Sequence, residues 1–195
     1  MINKIKSVSL SLFAQKGYEG TSLANIAQGV GIRKSSIYSH FEGKEHLFLS
    51  VFEDVQKEEL EAFINFCQDI KDDSAKGKLY SIFKYYGEMY ENNNVEVVFW
   101  KRNILFPPEF LKEKLQEKII FYEKTMSEMV TAIFNKGIIN GEIQPRNVED
   151  LLGTFICLID GMFMESHYYT RQHYQVRLEA VWHTFWAGIK NNITE

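Results

Sequence analysis

Residues 30–48, VGIRKSSIYSHFEGKEHLF, crowd Arg33, Lys34, Ser35, Ser36, Tyr38, Ser39 and His40 around a thin apolar thread of Ile32, Ile37 and Phe41. The thread has a register. Ala27, Gly31 and Ile37 are spaced by four and then six residues. A helix-turn-helix unit needs a small residue where its helices cross, a turn residue that tolerates positive φ, and a branched apolar residue facing back into the core. Ala27, Gly31 and Ile37 meet those needs in order, and Ile26, Val30 and Ile32 supply the remaining buried positions. With Ile37 and Phe41 turned inward, Arg33, Lys34, Ser35, Ser36, Tyr38 and His40 fall on the exposed side and N-terminal end of a short second helix. In such units that end enters the major groove, where Arg or Lys reaches guanine and hydroxyls reach phosphates or bases.

Charge divides along the chain in the same sense. The 195 residues carry a net charge of -4, yet residues 1–50 hold six basic side chains against three acidic ones, +3, which leaves -7 for the rest. Only the first stretch suits a polyanion. Two cysteines, Cys67 and Cys157, sit in helical apolar patterns with no paired spacing, which predicts a reducing, cytoplasmic setting. The apolar run 151–164 contains Asp160 and falls short of the ~20 residues a membrane-spanning helix needs, so no membrane partner is expected. The opening MINKIKSVSLSLFAQKG is broken by Ser7, Ser9 and Ser11 and reads as a helix, not as a targeting peptide.

Apolar residues return at i, i+3, i+4 and i+7 almost throughout, and period-two alternation never persists, so the expected fold is all-α. The spacing predicts helices over 3–16, ended by a left-handed cap at Gly17, and over 22–29, capped by the Thr21 hydroxyl. A recognition helix over 33–40 and a long helix from Lys44 to about 70 follow. KDDSAKGK (71–78) reads as a connector, before helices over 79–90, 95–103, 109–136, 148–169 and 175–190.

The stretch FAQKGYEGTSLANIAQGVGIRKSSIYSHFEGKEHLF resembles the N-terminal domain of TetR-type transcriptional regulators (the TetR/AcrR group), over roughly residues 3–52. The resemblance rests on the LF-x3-G-Y-x-G-T opening, the I-A-x2-V-G turn, the I-Y-x-H-F recognition helix and the G-K-E-x-L-F start of the next helix. It implies phosphate contacts from Tyr38 and Lys44 and places Arg33, Lys34, Ser35 and Ser36 in or beside the groove. Thr21 and Lys44, at the starts of flanking helices, are further phosphate candidates. Ser35 stands where the family often has glycine, and the arm before the first helix is very short. The resemblance also implies two domains: a helix-turn-helix DNA-binding domain over 1–50 and a larger helical effector-binding and dimerisation domain over 51–195.

In that second part, the helices over 148–169 and 175–190 carry wide apolar faces, with Phe155, Ile159, Phe163, Val181, Trp182 and Phe185 as the expected homodimer seam. A two-fold dimer suits half-sites about one turn, ~34 Å, apart. Phe83, Tyr86, Tyr90, Phe99, Trp100, Phe121 and Met126 are the expected lining for an apolar or aromatic effector. Glu165, His167, His173, Glu179 and His183 lie on separate segments with no cysteine among them, so no metal and no cofactor are expected. No nucleophile elbow, glycine-rich phosphate loop or metalloprotease motif occurs, and no catalysis is expected. The expectation is a homodimeric repressor released from double-stranded operator DNA by a small molecule. The alternative is a helical dimeric ligand carrier or protein-interaction module that binds no DNA.

Overall fold

A computed structural model describes residues 1–71 and 74–192. Its helices are α1 (Ile2–Lys16), α2 (Leu23–Val30), α3 (Lys34–Tyr38), α4 (Lys44–Asp69), α5 (Ala75–Asn92), α6 (Val95–Leu105), α7 (Lys112–Ile139), α8 (Val148–Glu165) and α9 (Arg171–Ile189), with a short 3-10 turn at Glu109–Leu111 before α7. Among the described residues the strand-type pairing is limited to one isolated antiparallel bridge, Ile143 to Lys190.

Several boundaries differ from expectation, each for a local reason. α5 begins at Ala75 because the Ser74 hydroxyl accepts from the Gly77 amide at 3.0 Å, so part of the expected connector is helix. Asp72 and Asp73 of that connector lie outside the described residues. α8 stops at Glu165, and Thr170 caps α9 by accepting from the His173 amide, which starts α9 four residues earlier than its apolar pattern suggests. Gly17 has positive φ (73°) but ψ of 179°, so it ends α1 as an extended break and not as a left-handed cap.

The chain forms two compact units: Met1–Ala62 with Asn93–Tyr122, and Phe63–Asn92 with Glu123–Glu195. The division expected at residue 50 falls inside α4. In the first unit Ile5, Phe13, Ile26, Ile37, Leu47 and Phe52 are fully buried together with Phe99 of α6. The Phe48 ring stands edge-on to Phe13 at 5.0 Å and to Phe99 at 5.6 Å, so α6 packs into the core of the first four helices. In the second unit Phe155 of α8 is ringed by Phe83, Phe134 and Phe185, at 6.3, 6.0 and 5.7 Å. The Tyr174 hydroxyl donates to the Gly87 carbonyl at 3.1 Å, joining α9 to α5.

Candidate nucleic-acid interface

Local chemistry builds the interface from α2 onward. Ser22 caps α2: its hydroxyl accepts from the Asn25 amide at 3.1 Å, and its own amide donates to Asn25 Oδ1 at 3.2 Å, a reciprocal capping box. Thr21, the expected cap, has another task. It is 1% exposed and its hydroxyl points at the end of α1, donating to Gly17 O at 2.8 Å and Leu12 O at 3.2 Å. A side chain so placed does not reach a phosphate.

At the other end of α2, Gly31 adopts φ 80°, ψ 33°, and its amide and that of Ile32 both return to Ala27 O at 3.0 Å. This left-handed step is where a side chain costs most. The chain then turns through Arg33 into α3, whose Ile37 is fully buried. α3 is shorter than expected: after Tyr38 the His40 and Phe41 amides both fold back to Ile37 O, so Ser39 and His40 form a turn. Arg33, Lys34, Ser35, Tyr38 and His40 are exposed, and Ser36 is half-buried. The Lys34 ammonium lies 5.9 Å from the centre of the Tyr38 ring. One short helix thus presents two cations, two hydroxyls and a phenol around a single buried anchor.

Lys44, at the start of α4, donates to Tyr18 O at 2.9 Å with its ammonium 4.0 Å from the Tyr18 ring. An ammonium has three donors, so this bond leaves others for a phosphate. The α4 start is also held by His46, whose Nδ1 accepts from the Glu42 amide at 3.2 Å. Lys4 donates to Val30 O at 2.9 Å and Lys6 pairs with Asp54 at 2.7 Å, so these two lysines of α1 serve the scaffold.

The family model of bacterial regulatory proteins, tetR family, matches residues 5–51, which include α2, α3 and the start of α4. Residues 5–51 are thus similar to the DNA-binding head of the TetR family. The chain is 34% identical over 87 residues to the biofilm operon icaADBC HTH-type negative transcriptional regulator IcaR of Staphylococcus epidermidis, covering 44% of this chain and 45% of that one. It is 44% identical over 48 residues to IcaR of Staphylococcus aureus, 25% of this chain and 26% of that one. The chain therefore spans less than half the length of these curated relatives. The fold is shared over the full length with solved TetR-type structures. Bacillus subtilis FadR in complex with stearoyl-CoA has a TM-score of 0.75 at 19% identity, over 97% of this chain and 100% of that one. A TetR transcriptional regulator from Chloroflexus aurantiacus likewise has 0.75 at 19%, over 97% and 96%.

Outside the TetR-type head, the structure redistributes the other expected site residues. Of the expected effector lining, Phe99, Trp100 and Phe121 belong to the first unit, and Phe83, Tyr86, Tyr90 and Met126 to the second. Phe99 is fully buried in the core of the head, Trp100 stacks on Phe52 at 5.3 Å, and Phe121 is 67% exposed. In the second unit, Tyr86 and Tyr90 lie 6.0 Å apart, and Tyr90 meets Phe163 edge-on at 5.1 Å. Of the expected dimer seam, Phe155, Ile159, Phe163, Trp182 and Phe185 are buried within their own chain, and Val181 is half-buried. The apolar stripe was legible, but it is this chain's own core that covers it. Of the dismissed metal set, Glu165 holds Arg177 through both carboxylate oxygens, and Glu179 accepts from the Tyr80 hydroxyl at 2.6 Å.

Proposed function

We propose that the protein is a homodimeric repressor that holds operator DNA through Arg33, Lys34, Ser35, Ser36, Tyr38, His40 and Lys44 and releases it when a small apolar or aromatic molecule binds the second unit. One observation carries the DNA-binding part: the residues matched by the TetR family model include α3, whose cationic face is exposed around the buried Ile37. Thr21 is withdrawn from the contact set, and the α2 start is represented by the Ser22 region. Repression is supported by the printed function of the IcaR relatives, which are negative regulators. An apolar effector is supported by the Tyr86–Tyr90–Phe163 cluster. The FadR neighbour, similar in fold, is in complex with stearoyl-CoA. Release needs only a differential affinity, and a coupling of ~1 to 3 kcal/mol changes DNA affinity roughly 5- to 150-fold.

The dimer face we propose lies beside the expected one. Gly153, Cys157 and Gly161 recur every four residues along the outer side of α8, with Met164 41% exposed beyond them, and Ala180, Thr184 and Ala187, spaced by four and three, line the outer side of α9 with Val176 65% exposed. Small residues let helices approach closely, and the exposed apolar ends want cover. Ala180→Arg is expected to give folded monomers by sedimentation, with the melting transition kept. An unaltered dimer would refute this face. Trp182→Glu is expected to unfold the second unit, since Trp182 is 2% exposed.

Selection from a random duplex pool followed by titration tests the whole reading. Affinity for the selected duplex is expected to fall linearly on logarithmic axes with salt, at a slope of about -0.9 per phosphate contacted. A protein that shifts no duplex at any salt is the ligand carrier instead.

A further inference from the structure

α1 is held at both ends by cations on helix carbonyls. At its C-terminus, Arg102 of α6 donates from Nη1 to Ala14 O at 3.2 Å and Gln15 O at 3.3 Å. Nη1 carries two N–H groups, one for each carbonyl. Near its N-terminus, Lys4 donates to Val30 O at 2.9 Å, and Val30 is the last residue of α2, immediately before the Gly31 turn. Both bonds fall where helix carbonyls lack intrahelical partners and where the macrodipole favours positive charge.

Arg102 has a seat made for it. Gly17, with φ of 73°, passes so close that a Cβ there would stand 3.0 Å from Arg102 Nε. α6 is itself anchored on either side of Arg102: Phe99 is fully buried, and the buried Asn103 donates to Phe99 O at 2.7 Å. The helix that offers Arg102 is thus seated in the core of the head through Phe99.

We propose that Arg102 is a positioning residue for the DNA-reading helix: it registers α6 against the end of α1, and α1, acting as a rod, holds through Lys4 the end of α2 from which the turn to α3 departs. Neither cation is a DNA contact in this scheme. The proposal rests on the reading of residues 5–51 as a DNA-binding head, and a measurement made without DNA separates the two.

Amide hydrogen exchange on the full chain, without DNA, tests the rod. Arg102→Met keeps most of the apolar stem and removes the donors, and Lys4→Met does the same at the other end. Each is expected to speed exchange over 28–38 by about five- to tenfold, the effect of losing one ordinary net hydrogen bond at a partly exposed site. The double variant is expected to be no faster than either single, because both interrupt one route, whereas independent sites this far apart would add. Gly17→Ala, whose Cβ would crowd the guanidinium and whose positive φ would strain the end of α1, is expected to reproduce the pattern. Unchanged exchange over 28–38, an equal rise throughout residues 1–62, or additive singles would overturn the proposal. With the selected duplex, Arg102→Met is expected to lower affinity while leaving the salt slope unaltered. A slope reduced by about one would mark Arg102 as a phosphate contact and overturn the positioning role. If the wild-type protein binds no duplex, the DNA reading fails and the exchange result still decides the rod.

Discussion

Within the head and within the second unit, the helices present different groups to one another. In the head, side chains bond to backbone carbonyls at helix ends and connectors: Lys4 to Val30 O, Thr21 to Gly17 O and Leu12 O, Lys44 to Tyr18 O, Arg102 to Ala14 O and Gln15 O. Ser9, Thr21, Lys101 and Asn103, buried polar or charged residues, all lie in that unit. In the second unit the helices meet through rings, with Trp182 against Tyr80, Phe83, Phe185 and Trp186, and Phe155 against Phe83, Phe134 and Phe185, and through hydroxyl bonds from Tyr80 to Glu179 and from Tyr174 to Gly87 O. A hydrogen bond has a narrow range of distance and angle, so it fixes register, whereas apolar contact is non-directional and tolerates repacking at similar volume. Base reading needs the first property. Accommodation of an effector suits the second.

The comparison can be broken most decisively at Phe155. Phe155→Ala is expected to cost about 3–5 kcal/mol in chemical denaturation, because a fully buried ring surrounded by three others leaves a cavity. A variant that keeps its stability and loses only association would restore Phe155 to the dimer seam.

A smaller and separate effect is expected on the face of α3. Arg33→Ala and Lys34→Ala remove exposed side chains, so the melting temperature should hold while discrimination among duplexes falls by about 1–3 kcal/mol per lost base contact. Lys44→Ala should weaken all duplexes alike and also loosen the head, since it breaks the bond to Tyr18 O. Unchanged titrations for all three variants would remove α3 from the interface.

The smallest effect sharpens the contrast in buried polarity. Burial lowers the Lys101 ammonium from 10.5 to about 8. Between those values the unfolded chain binds more protons than the folded one, so Lys101 makes stability rise with pH across that window. Lys101→Met is expected to flatten the rise, and a denaturation series from pH 7.5 to about 10.5 with the same slope in both proteins would contradict it.

The helix-turn-helix was readable because its demands are local: Ala27, Gly31 and Ile37 lie within eleven residues, at the spacing the motif needs. The cap of α2 was off by one residue because Thr21 and Ser22 are both competent hydroxyls, and which one turns inward depends on the α1 carbonyls that Thr21 meets. Lys4 and Arg102 left no local sign, as their partners stand 26 and 88 residues away. The assignment of Phe99 and Trp100 to an effector lining failed to foresee their packing in the head, since periodicity tells that a face is apolar and not what covers it.

Sequence alone determined the all-helical architecture, the turn at Gly31 and the cationic face of α3, because helix periodicity, positive φ and charge are properties of neighbours along the chain. Only the tertiary structure decided which apolar residues of α8 and α9 are core, which hydroxyl caps α2, and that α6 grips α1 through Arg102. Those outcomes depend on burial and on directional bonds between residues far apart in the chain, which local pattern does not encode.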